Sequence, residues 1–312
     1  MRTEHGLRES KLVGHPHPNP LPEGEGISDS PRALRARIRH QFAQAVAFLV
    51  LTLASVVFGL PIIWMVATSL KPLRQLNQWP PSLLPNPVVW ANYPDALTFL
   101  PFGRYLLNTS IIAALSIVGA LLSCTLVAYG FARIKFPGRD VLFLVLISTI
   151  MLPETVRLIP TFLLYNRIGW LNTYLPLVVP AFLANPFYVF LLRQFFRTIP
   201  EELADAARID GCGELRILSR ILVPLSGPAL AVITIFTFQT AWNDFMGPLI
   251  YLNDASMRTL SLGLYYFLTF EGVTRWNQMM AAATVMVLPI LLIFAFFQRY
   301  FIQGVTLTGI KG

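Results

Sequence analysis

Acid–base or nucleophilic chemistry needs a titratable group or nucleophile beside a partner, so polar residues inside the apolar stretches come first. They are few. Glu154 follows Pro153 and precedes Arg157 by about one turn. Glu154 therefore serves either as a structural ion pair with Arg157 or as the lining of a water-filled path. Asn185 precedes Pro186 and marks a kink. Gln239, Trp242 and Asn243 cluster at the end of another apolar stretch. Ring and amides there suit sugar binding, and they equally suit an interfacial aromatic belt with a polar helix end. All four histidines precede residue 41, so no Ser/His/Asp set can form among the apolar stretches. Cys124 and Cys212 are too few and too separated for a zinc site or a disulfide framework. There is no glycine-rich phosphate loop either. These residues offer no catalytic group and no metal site, and any ATP-driven process would need a separate ATPase.

The longest water-compatible segment between two apolar stretches is 198–224. Thr198 with Glu201 reads as a capping box, with Pro200 in the first turn. Leu203, Ala206, Ala207 and Ile209 give a short, small-residue helical face, and Gly211 supplies the stop. Near the start of that helix, Asp205 gains from the helix dipole. A second short helix is expected over 213–221, with Leu215, Leu218 and Leu222 on one side and Arg216 and Arg220 on another. An elbow this polar, set between two apolar stretches, suits docking on a soluble partner.

The same segment carries a resemblance. Asp205-Ala206-Ala207, then Gly211, then Ile221-x-Val223-Pro224 resembles the EAA loop of permease subunits of binding-protein-dependent ABC importers. Asp205 stands for the usual Glu and Val223 for the usual Leu, which keeps charge sign and apolarity. The Ala-Arg-Ile-Asp-Gly run is similar to the carbohydrate-uptake branch, as in the smaller permease subunit of the maltose transporter. The likeness spans residues 43–312. It implies an all-α, type I permease fold with six transmembrane helices, acting in a heterodimer with a second homologous permease. Two ABC ATPase subunits, which hold ATP and Mg, would dock on Glu201, Glu202, Asp205, Ala206, Ala207, Asp210, Gly211, Ile221 and Pro224. Asp205 would meet a basic group there. An extracytoplasmic binding protein would deliver a sugar, or alternatively another solute such as glycerol phosphate. In the maltose permease the C-terminal tail reaches between the ATPases, so Thr308, Gly309 and Lys311 are expected to do likewise. No cofactor is implied on this chain.

Composition agrees independently. Hydrophobic residues make up 55% and charged residues 13%, and mean hydropathy is +0.59. That is far from a soluble domain, in which about a quarter of residues are charged. Apolar length predicts spans at 43–70, 105–132, 141–158, 173–195, 224–250 and 277–302, each near what a hydrocarbon core of ~30 Å requires. The net charge of +8 reads as membrane topology rather than nucleic-acid binding, because the basic residues sit beside the apolar spans. With the N-terminus cytoplasmic, only Lys71, Arg74, Arg104, Arg157, Arg167, Arg258 and Arg275 of the 24 Lys and Arg fall outside. Both termini and the elbow are thus expected in the cytoplasm of a bacterial-type inner membrane.

The Pro/Gly-dense N-terminal segment, within residues 1–40, reads as disordered and basic, and 41–312 as the permease domain. Residues 71–104 hold Trp79, Trp90, Tyr93 and several prolines, which reads as a rigid outer cap or as a linker. An ion-coupled secondary transporter would carry several ionisable groups at mid-membrane, and a membrane-embedded enzyme would carry a nucleophile or metal cluster there. Glu154 is nearly alone, so neither competes well.

Overall fold

In hydrocarbon only a helix can satisfy its own backbone over one segment, and the described elements here are all helical. The computed structural model describes the backbone of residues 31–269 and 275–309 and the side chains of 39–153, 155–267 and 275–296. The N-terminal segment 1–30, Lys311 and the side chains of Glu154, Thr308 and Gly309 lie outside these residues. The chain divides into one unit Met1–Leu60 and another Pro61–Gly312.

The chain opens with α1 (Pro31–Ser69), α2 (Leu73–Leu76), α3 (Asn92–Phe99) and α4 (Phe102–Arg133). Next come α5 (Arg139–Ser148), α6 (Glu154–Arg167), α7 (Leu175–Val178) and α8 (Pro186–Thr198). The elbow contains α9 (Glu201–Ile209), α10 (Glu214–Ile217) and α11 (Val223–Leu225). Last are α12 (Gly227–Asn243), α13 (Met246–Tyr251), α14 (Leu260–Thr269) and α15 (Trp276–Gly309). Four of the described helical segments are long and apolar enough to cross a membrane, or six if each of two bent pairs is one span.

Besides these two bent pairs, the fourth expected span is also interrupted, so three of the expected spans are not continuous helices. The third bends by 102° between residues 151 and 155, where Pro153 has no N–H to extend the ladder. The fourth runs from α7 through a 3-10 turn (Val179–Leu183) and restarts at Pro186. The fifth bends by 82° at Ser226, between Pro224 and Pro228, and breaks again before α13. Apolar length reports which residues avoid water and says nothing about where proline interrupts a helix. At the other end α15 runs on to Gly309, so most of the segment read as a tail is helical backbone.

α4 is the common packing partner. Ile112, Ser116, Ala120, Cys124 and Ala128 recur every four residues along one buried stripe. Small side chains there let neighbouring backbones come close. At Gly119 an added Cβ would lie 2.4 Å from the Phe182 ring. The same helix repairs the break in the fourth span, where Ala184 takes a left-handed φ of 56°. The Ser123 hydroxyl donates to Ala181 O at 3.1 Å and accepts from Ala184 N at 3.2 Å.

Residues 71–101 form a structured cap. The Gln75 amide donates to Ser82 Oγ and Leu84 O and accepts from Asn86 N. Buried Asn92 donates to Ser69 O at 2.8 Å and Lys71 O at 3.0 Å, and it accepts from Asn277 Nδ2 at 3.0 Å. This ties the cap to α15. Buried Lys71 donates to Ser82 O at 2.6 Å and lies 4.3 Å from the Trp64 ring centroid. Replacing one partner leaves buried groups unsatisfied, at a cost of about 1–3 kcal/mol. Asn92→Leu should therefore lower the thermal unfolding midpoint of the purified protein by several degrees, measured against an exposed control such as Thr98→Val.

Candidate functional site

The elbow begins where α8 ends, and its start differs from the sequence expectation. Thr198 is the last residue of α8 and its hydroxyl donates back to Phe195 O at 2.7 Å. Pro200, not Thr198, is the residue before α9, and no side chain caps that helix. No capping box forms, because a threonine that finishes one helix has satisfied the preceding turn instead. Glu201 and Glu202 are exposed in the first turn of α9, where the helix dipole favours negative charge.

The face expected from Leu203, Ala206, Ala207 and Ile209 is divided between two sides of α9. Ala204 and Ala207 are buried, against a cluster that includes Cys124, Ala128, Tyr129, Leu192, Phe196, Ile217 and Leu222. Leu203, Ala206 and Ile209 face outward. Ile209 is 87% exposed, Leu203 46% and, beyond the turn, Leu215 71%. Spacing three residues apart selects one side of a helix but does not say which side meets the core.

Gly211 does end the helix as expected. It takes φ +79°, its N–H bonds to Arg208 O, and the Cys212 N–H bonds to Ala207 O at 2.9 Å, a Schellman pattern. No atom lies within 4 Å of a Cβ added at Gly211, so the glycine answers to backbone conformation rather than close approach. Asp210 caps α9 and is exposed. The second helix is shorter than expected: α10 passes into a π turn, Leu218–Leu222, that contains half-buried Ile221. Pro224 is exposed within α11.

A polar network crosses the elbow. Arg208 Nε donates to Glu214 Oε1 at 2.9 Å and Nη1 donates to Asp205 Oδ1 at 2.7 Å. Asp205 is thus already paired within the elbow. From α4 the Tyr129 hydroxyl donates to Glu214 Oε2, and Arg133 Nη2 donates to Phe196 O at 2.7 Å and to Ile199 O. Arg208 and then Tyr129 hold the Glu214 carboxyl below the usual carboxylate range. Its contribution is therefore complete at neutral pH and is lost as pH falls through that lowered value. The Asp205/Arg208 spacing was legible as a helical ion pair. Tyr129 and Arg133 carried no local signal, since they meet the elbow from a separate helix.

The other singled-out residues lie elsewhere. The Asn185 side-chain Oδ1 accepts from Phe187 N and Tyr188 N, capping α8. Trp242 is buried, stacked on Phe238, with its indole N–H on Met286 O at 3.0 Å. Gln239 and Asn243 are exposed, and the Asn243 amide donates to Gln239 O. Asn185, Trp242 and Asn243 bond to separate partners and do not form one polar cluster.

Binding-protein-dependent transport system inner membrane components, as a family, match residues 124–307, from the middle of α4 to near the end of α15 and across the whole elbow. The chain belongs to this family. It is 39% identical over 205 residues to the arabinooligosaccharides transport system permease protein AraQ of Halalkalibacterium halodurans, covering 66% of this chain and 73% of that one. To the sn-glycerol-3-phosphate transport system permease protein UgpE of Agrobacterium fabrum it is 32% identical over 274 residues, covering 85% and 97%. A bacterial ABC transporter involved in the import of the acidic polysaccharide alginate shares the fold, with a TM-score of 0.75 at 23% identity over 84% of this chain and 97% of that one. The permease is thus a membrane-embedded transporter component of an ABC importer and not an enzyme.

The Gly211 turn gives a direct check. An L-residue in this conformation costs about 1–2 kcal/mol, and a β-branched one more. With no clash to relieve, Gly211→Ala should raise the rate of tryptic cleavage at Arg216 modestly, and Gly211→Val should raise it markedly.

Proposed function

We propose that this permease moves a sugar or related polyol inward, powered by two separate ATPase subunits that grip it at the elbow. The observation that carries the reading is the two-sidedness of α9 and its turn. Ala204 and Ala207 are buried in the permease, while Leu203, Ile209 and Leu215 present apolar side chains outward from an otherwise charged segment. An apolar patch framed by charge marks a protein-binding surface. ATP and Mg act on the partner subunits. The count of basic residues favours a cytoplasmic elbow and cytoplasmic termini.

A second, homologous permease would complete the translocation path, and an extracytoplasmic binding protein would deliver the solute. A structural neighbour with a TM-score of 0.56 is an alginate transporter in complex with a pentasaccharide-bound periplasmic protein. A sugar is favoured by relatives named for arabinooligosaccharides. Glycerol phosphate is the second reading, favoured by relatives named for sn-glycerol 3-phosphate. Gln239 and Asn243, both exposed, are the residues proposed to meet solute along with Glu154, whereas Asn185 and Trp242 are engaged in capping and core packing. The C-terminal residues Thr308, Gly309 and Lys311 are proposed to reach the ATPase pair.

Burying Ile209 contributes about 1.5–3 kcal/mol, which is roughly tenfold or more in affinity. Ile209→Glu should therefore leave a folded, inserted permease that retains the ATPase at least tenfold less well on co-purification and loses ATP-dependent uptake in proteoliposomes. Retention at wild-type level would remove the elbow as the grip. Uptake of oligosaccharide against sn-glycerol 3-phosphate in the same vesicles separates the two solutes.

A further inference from the structure

The elbow's contact with the spans has two kinds of component. Ala204 and Ala207 share an apolar cluster with Leu192 and Phe196 of α8, and that contact is non-directional. Two small methyl groups on a smooth surface resist separation but do little to resist sliding or rotation. Direction comes from α4. Tyr129 and Arg133 lie four residues apart and so share one face of that helix. Arg133 holds the two carbonyls where the chain enters the elbow, Phe196 O and Ile199 O. Tyr129 holds the elbow at its middle, at Glu214 where α10 begins, whose other oxygen is held by Arg208 of α9. Arg193 of α8 answers in the opposite sense, donating to Phe131 O of α4 at 3.2 Å.

Nothing in the elbow's own fold requires this arrangement. α9 is closed by the Gly211 turn, and Arg208 pairs with Asp205 and Glu214 without help from α4. A phenylalanine at 129 would pack equally well in the apolar cluster, where the ring is 3% exposed. The hydroxyl adds a bond aimed at Glu214, the first residue of the second elbow helix.

We propose that Tyr129 and Arg133 form a two-point clamp that makes the elbow turn as one body with α4, so that a push on the elbow rotates the spans rather than slipping past them. The proposal rests on the coupling role assigned to the elbow above. Tyr129 and Arg133 are positioning residues in it: they touch neither solute nor nucleotide.

The test uses the complete transporter, with partner permease, ATPase subunits and solute-loaded binding protein, reconstituted in proteoliposomes. Three quantities are read for each variant: ATPase retained on co-purification, ATP hydrolysed, and solute taken up per ATP. Tyr129→Phe should retain the ATPase and continue hydrolysis while uptake per ATP falls several-fold. Tyr129→Phe with Arg133→Gln should lower it further. Unchanged uptake per ATP in both would overturn the clamp. Uptake and hydrolysis falling together, with the ratio preserved, would also overturn it and leave Tyr129 a stabilising residue only. Should Tyr129→Phe fail to insert, Glu214→Gln, which leaves the Tyr129 ring in place and weakens its acceptor, carries the same expectation. Failure of the elbow reading itself would show separately, as an Ile209→Glu variant that keeps its ATPase.

Discussion

A backbone group without a partner is costly in hydrocarbon, and this chain breaks its helices beside Pro153, before Pro186 and between Pro224 and Pro228. The constraint that orders the structure is how those breaks are mended, and α4 does most of it. Ser123 bridges the left-handed break before α8. At the opposite end Asn108 donates to Ser256 O and Arg258 O, and Thr109 Oγ1 accepts from Leu260 N, which seats the segment leading into α14. Tyr129 and Arg133 hold the elbow. Ser116, Ala120, Cys124 and Ala128 keep the buried stripe of α4 slim, so its neighbours stand close enough for the short Ser123 side chain to span the gap.

The helical class, the approximate reach of each span and the Gly211 stop were legible in the sequence, because apolar length and a left-handed turn are local properties. Continuity of the spans was not. The kink at Asn185-Pro186 is legible from the proline, but the size of the bend beside Pro153 and the break at Ser226 are not, because a hydropathy window registers no backbone turn. Spacing groups Leu203 and Ile209 with Ala207 on one face of α9, whereas in the structure Ala204 and Ala207 make the packed side and Leu203 and Ile209 are exposed. Small residues pack where helices approach closely, and the larger apolar ones were left for the surface. In sequence Trp242 suits a sugar platform, but its indole N–H meets a backbone carbonyl in the core. A tryptophan near a helix end looks the same in sequence whether it faces solute, lipid or a neighbouring helix. Tyr129 pairs with a residue 85 positions away, and no local pattern announces such a contact.

The two ends of the permease are fixed by different chemistry, with different consequences. The cap at 71–101 is held by neutral amides and one lysine, buried and bonded to backbone oxygens. Such groups respond little to salt and strongly to substitution, because a lost partner leaves a buried dipole unpaired. The elbow is held by charges that are partly exposed: the Arg208 side chain keeps 33% of its surface and Glu214 45%. Pairs of that kind contribute only about 0.2–1 kcal/mol each and weaken with ionic strength. Geometry rather than stability is what they add, since a guanidinium bonded to two carboxylates accepts few orientations.

That division explains how one short segment can be firmly seated in the permease and still available to a partner. The elbow's apolar surface is split between two sides, with methyl-sized groups turned inward and Leu203, Ile209 and Leu215 turned out. Had the large residues faced inward, α9 would stand farther from α4, and the Tyr129 hydroxyl would not reach Glu214. Had alanines faced outward, little apolar area would remain for a partner to cover. The small-in, large-out choice therefore meets both demands with nine residues of helix. It leaves the polar bonds from α4 to determine the direction in which a force on the outer face is passed on.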